Sequence, residues 1–107
     1  MTWKTIKGYD NYLINEIGII RSANCIIKPF KQHGYMKVSL YKEGKKRNFF
    51  IHRLVAGAFI PNPDNLPFIN HKNHIRTDNS VNNLQWCDAV YNCRYSLAKP
   101  IIGYNKK

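Results

Sequence analysis

A chain of 107 residues is one compact domain, or two very small modules sharing a core, and its 44% hydrophobic residues suffice for a modest core only. Seventeen Lys and Arg against six Asp and Glu give a formal net charge of +11, a field that attracts polyanions and points to nucleic acid. No apolar run is long enough to span a bilayer and MTWKTIKGYDNY lacks the apolar stretch of a secretory signal, so the expectation is a cytoplasmic protein with no membrane partner.

Strand signals fill the first half. Tyr12–Ile14 and Ile17–Arg21 are predicted strands on either side of Asn15 and Glu16, with Gly18 available for a bulge or tight turn. Tyr35–Tyr41 alternates: Met36, Val38 and Leu40 share one face, Tyr35, Lys37, Ser39 and Tyr41 the other. A turn at Glu43-Gly44 returns the chain as a strand over Arg47–Ile51, and the polar face of this hairpin suits a phosphate backbone.

His52–Phe59 is a predicted short helix with Leu54, Val55, Ala58 and Phe59 as its buried stripe, and Pro61 and Pro63 stop it. His52 is expected to hydrogen-bond across the core. Phe68-Ile69 is a short strand leading to Asn70 and His71; the polar stretch KNHIRTDNSVNN follows as a loop, in which Asp78 and Asn79 shape a turn. Leu84–Trp86 is the partner strand. Asp88 is a suitable N-cap for a helix from Ala89 to about Lys99, ended by Pro100. The cysteines are Cys25, Cys87 and Cys93. Their odd number and the absence of any Cys-x-x-Cys predict reduced thiols and no structural zinc, with Cys87 and Cys93 as small core residues.

The order strand, His71, polar loop, Asn83, strand, helix has a chemical meaning. A helix packed across two short strands brings Asn92 toward Asn70 and His71, so a neutral base and amide oxygens share one site. Phosphodiester hydrolysis needs a water deprotonated, charge on the phosphate offset and the leaving oxygen assisted. Neutral imidazole serves the first need near pH 7. A divalent ion with oxygen ligands serves the others.

The segment FINHKNHIRTDNSVNNLQWCDAVYNCRYSL resembles the ββα-metal HNH nuclease motif of phage and intron-encoded homing endonucleases. Twelve positions separate His71 from Asn83 and nine separate Asn83 from Asn92, and the upstream IHRLVAGAFIPNP is similar to the segment that precedes the motif in that group. WKTIKGYDNYLINEIGIIRS, with KPF and GYMKVSLY after it, resembles the NUMOD-type modules found before such domains, although Glu16 stands where Asn is usual.

The resemblance implies an α+β chain: a small antiparallel β module over residues 1–50, a ββα-metal (His-Me finger) nuclease domain over 51–99 and a tail over 100–107. It implies His71 as general base, Asn83 (rather than the adjacent Asn82) as the residue that holds the loop, and Asn70 and Asn92 as ligands of one Mg²⁺ or Mn²⁺ ion. Asn70 departs from the Asp that is frequent there. The implied partner is double-stranded DNA, met by Lys37, Lys45, Lys46, Arg47, Arg53, Lys72, Arg76 and Arg94, and the implied activity is strand nicking by a monomer or weak dimer. A catalytically inactive DNA-binding protein of the same fold is the alternative, and an RNA-binding hairpin a third reading. KPIIGYNKK resembles the opening of a further module, so lower sequence specificity or a fragment is expected.

Overall fold

The computed structural model describes residues 1–88. These form an α+β arrangement of three small antiparallel sheets around one short helix.

The first sheet holds β1 (Trp3–Ile6), β2 (Tyr9–Asn15) and β3 (Ile20–Arg21). β1 is a strand beyond those the sequence pattern predicts, and its turn into β2 is marked by Gly8 at φ +82. β3 begins at Ile20, three residues later than the expected Ile17. The buried Asn15 explains why: its Oδ1 accepts from the backbone N–H of Ile17 (3.1 Å) and Ile19 (2.9 Å), folding residues 15–19 into a closed turn. Gly18 sits in that turn at φ +88, where a Cβ would lie 3.1 Å from Ile51 Cγ2 and 3.5 Å from Asn79 Cβ. Only glycine meets both demands.

The second sheet holds β4 (Phe30–Gln32), β5 (Tyr35–Lys42) and β6 (Lys45–Phe50). Its two-residue turns, His33-Gly34 and Glu43-Gly44, have both residues at positive φ, the combination that matches the right-handed twist of a hairpin. The expected alternation in β5 holds: Val38 and Leu40 are fully buried and Met36 half-buried, with Tyr41 exposed on the opposite face. The return strand runs Lys45–Phe50 rather than Arg47–Ile51, because Ile51 already begins the helix.

The helix α1 (Ile51–Phe59) packs against β1, β2, β5, β6, β7 (Phe68–His71) and β8 (Leu84–Cys87). Its buried residues are Ile51, His52, Val55 and Ala56. The expected stripe of Leu54, Val55, Ala58 and Phe59 is therefore rotated, and Leu54, Ala58 and Phe59 form its half-buried flanks. Sheets on both sides of the helix decide the rotation, which a single-face reading misplaces.

β7 and β8 pair as a third sheet, with Asn70 opposite Gln85 and His71 opposite Leu84. One apolar cluster joins Ile6, Ile14, Ile20, Val38 and Leu40 to Ile51, Val55 and Leu84. The backbone N–H of Tyr41 donates to Tyr12 Oη at 3.0 Å, tying the first sheet to the second. Cys87 is buried and Cys25 exposed. Among the described residues no helix is long and apolar enough to cross a membrane. The expected helix over residues 89–99, with Asn92, Cys93 and Arg94, lies outside the described residues.

Candidate active site

The ribbon of β7 and β8 places His71 at the end of one strand and leaves a twelve-position loop to be closed on the way to Asn83. Polar side chains close it. Asn83 is buried; its Oδ1 accepts from Asn73 N–H (3.0 Å), its Nδ2 donates to Asp78 O (2.8 Å), and its backbone O accepts from Lys72 N–H (2.8 Å). The neighbouring Asn82 is exposed. Asp78 shapes the far side of the loop, accepting from Ser80 Oγ (2.9 Å) and Asn73 Nδ2 (2.9 Å). Those donors, the Ser80 hydroxyl foremost, hold its carboxyl below the usual aspartate value. Val81 N–H donates to Glu16 O (2.8 Å), anchoring the loop to the β2–β3 turn.

Asn83→Ala would leave the Asn73 N–H and the Asp78 carbonyl without their clasp. A loss of about 3 kcal/mol is expected, against a change within about 0.5 kcal/mol for Asn82→Ala. Urea unfolding of the two variants checks the contrast, and equal midpoints would contradict it.

His71 is buried, and its Nε2 lies 2.9 Å from Asn79 Oδ1. Burial is the main cause that keeps its pKa below the ordinary 6.5; the Arg76 charge acts in the same direction, while the Asn79 hydrogen bond and the Asp78 charge oppose it. The ring is neutral at pH 7. His52 stands edge-on to it with centroids 5.1 Å apart, and Tyr35 lies 6.0 Å away. The expected hydrogen bond from His52 across the core is not made: its buried Nδ1 has no partner among the described residues. Apolar and aromatic neighbours fill that space instead. Burial, with His71 and Arg53 adding to it, pushes the His52 pKa down to about 4.

The sequence pattern marks Asn79 only as a turn residue. Its contact with His71 had no signal in one dimension, because eight positions of irregular loop separate them. Asn70 is buried beside His71 in the chain, and its Nδ2 has no partner among the described residues. No group of three or more His, Cys, Asp or Glu side chains forms a metal cage among the described residues. The donor on offer is the amide oxygen of Asn70. That chemistry fits a hard divalent ion which keeps most of its shell as water and phosphate, and it does not suit a thiolate- or imidazole-bound metal.

The expected cations fall into groups. Lys45, Lys46 and Arg47 are exposed along β6. Lys37 Nζ sits 4.7 Å from the Phe50 ring centre, and the Arg76 guanidinium 5.0 Å from that of Tyr35. Phe50 and Tyr35 touch edge-on at 5.7 Å, so Lys37 and Arg76 border the aromatic patch that ends at His71. Lys72 is exposed beside His71. Arg53 is turned to the fold, donating to Pro67 O and lying over Trp86.

A two-stranded ribbon with a histidine closing its first strand and an asparagine-clasped loop behind it is the frame of an HNH nuclease. No family model matches the chain. It is 36% identical over 97 residues to the uncharacterized HNH endonuclease L245 of Acanthamoeba polyphaga mimivirus, an alignment covering 89% of this chain and 29% of that protein. It is 28% identical over 110 residues to DNA endonuclease I-HmuI of Bacillus phage SP01, covering 99% of this chain and 63% of the relative. A solved structure of DNA binding and cleavage by the HNH homing endonuclease I-HmuI superposes with a TM-score of 0.84 at 31% identity, over 92% of this chain and 59% of that one. Over nearly its whole length the chain is similar to HNH homing endonucleases. It spans less than two thirds of the length of these relatives.

Proposed function

We propose that this chain is a DNA endonuclease that hydrolyses phosphodiester bonds one strand at a time, with His71 as the general base. The observation that carries the reading is a buried, neutral imidazole held through Nε2 at a strand end, with the Arg76 charge acting on it, Lys72 next to it in the chain and Lys37 on the Phe50 ring of the adjoining aromatic patch. A neutral imidazole accepts a proton from water near pH 7, and cations around it hold a phosphate against it. Asn83 keeps the loop closed behind the ring. Lys45, Lys46 and Arg47 extend the positive face along the hairpin, Arg53 and Arg94 completing the set. Residues 1–50 act as the DNA-contacting module, 51–99 as the nuclease and 100–107 as a tail. The protein acts on double-stranded DNA in the cytoplasm of a host cell, as a monomer or weak dimer.

Asn70 and Asn92 would hold one Mg²⁺ or Mn²⁺, which supplies charge against the phosphate and the leaving oxygen when bound. Two amides bring no negative charge, so the free protein should bind the ion weakly. Asn70→Asp is expected to tighten Mg²⁺ binding in calorimetric titration; unchanged heats would count against Asn70 as a ligand.

Incubation of supercoiled plasmid with the protein and Mg²⁺ or Mn²⁺ tests the whole reading. The expected result is nicked circles, abolished by a chelator. A gel shift without cutting, across metals and DNA sequences, would instead establish an inactive DNA-binding protein. The amide at position 70 is the feature that favours that second reading.

A further inference from the structure

We propose that Asn79 is a positioning residue that fixes the tautomer of His71, placing the ring proton on Nε2 and leaving the Nδ1 lone pair for the water. The inference rests on the reading of His71 as general base, although its structural half stands independently.

Asn79 Oδ1 and His71 Nε2 are 2.9 Å apart, and the two residues are only 6% and 8% exposed. An amide oxygen accepts and cannot donate, so a neutral ring must present N–H at Nε2. The only basic nitrogen then is Nδ1. In free solution both tautomers of an imidazole exchange, and a base that spends time with its proton on the wrong nitrogen is idle for that time. A buried acceptor removes this loss and fixes the ring plane as well.

The acceptor is itself held. Before it in the chain, Asp78 is tied through its carbonyl to Asn83 Nδ2 and through its carboxylate to Asn73 and Ser80. After it, Val81 N–H is bonded to Glu16 O. The missing side chain of Gly18 leaves space for the Asn79 Cβ. The edge-on His52 ring, 5.1 Å away between centroids, packs against the imidazole as well. An asparagine that only satisfied a buried histidine would need no such support from two separate loops.

Nitrogen-15 NMR of the His71 ring at pH 8 tests the proposal in wild type, Asn79→Ala and Asn79→Asp, alongside plasmid nicking. Wild type should show a single Nε2–H tautomer. Asn79→Ala should show a mixture, with kcat for nicking lower by roughly 10- to 100-fold and KM unchanged. Asn79→Asp keeps an acceptor in place, so it should restore the Nε2–H tautomer and most of the rate. A wild-type ring protonated at Nδ1, or an Asn79→Ala protein with an unchanged tautomer and unchanged kcat, would overturn the proposal. If the tautomers follow the expected pattern but no variant nicks DNA, the positioning role stands and the nuclease reading fails.

Discussion

His71→Ala is expected to lower metal-dependent nicking by roughly 10²- to 10⁴-fold, the usual contribution of a positioned general base. DNA binding should survive, because the substitution leaves Lys45, Lys46 and Arg47 along β6 unchanged. The pH profile supplies a second measurement. Burial keeps the His71 pKa below 6.5, so the ring is already neutral at pH 7. The nicking rate should therefore rise with pH through the acid range and reach its plateau by neutrality. A rate still climbing steeply between pH 7 and 9 would point to another base. Because His71 is buried, the alanine variant also leaves a cavity, so thermal melting must accompany the assay. A folded, DNA-binding, non-nicking variant is the expected combination; undiminished nicking would remove His71 from the chemistry.

The second large effect concerns stability in acid. His52 is held neutral in the fold, with a pKa pushed from 6.5 down to about 4. Below pH 6.5 the unfolded chain takes up a proton at this ring while the folded chain does not. Stability from this group is fully present above about pH 6.5 and is lost as pH falls toward 4. The gap corresponds to about 3 kcal/mol when complete, a large part of the 5–15 kcal/mol typical of a small domain. His71, depressed for the same reason, adds in the same direction. The lowered carboxyl groups of Asp78 and Glu16 titrate at still lower pH, so the interval from pH 7 to 5 reports mainly the histidines. Urea midpoints should fall over that interval in wild type and fall less in His52→Phe, which keeps an aromatic ring in the same space. Identical pH dependence in the two proteins would show that His52 is not held neutral.

The periodicity of β5, the turn at Glu43-Gly44, the short helix and the ribbon that ends at His71 were all legible in the residues, because each depends on local pattern or on backbone angles that few residues tolerate. The spacing from His71 to Asn83, read with the family resemblance, also located the loop that the site needs. Charge alone pointed to a polyanion. The structure decided what depends on distant parts of the chain meeting. Burial on more than one side rotated the helix stripe to Ile51, His52, Val55 and Ala56. The Asn15 side chain shortened β3 by taking backbone donors. Asn79 reached the imidazole only because the loop folds back on β7, and the His52 ring, whose buried Nδ1 has no partner among the described residues, is packed by the hairpin aromatics. Local rules act between near neighbours in sequence, whereas hydrogen-bond partners and desolvation are set by whatever the fold brings within a few ångströms.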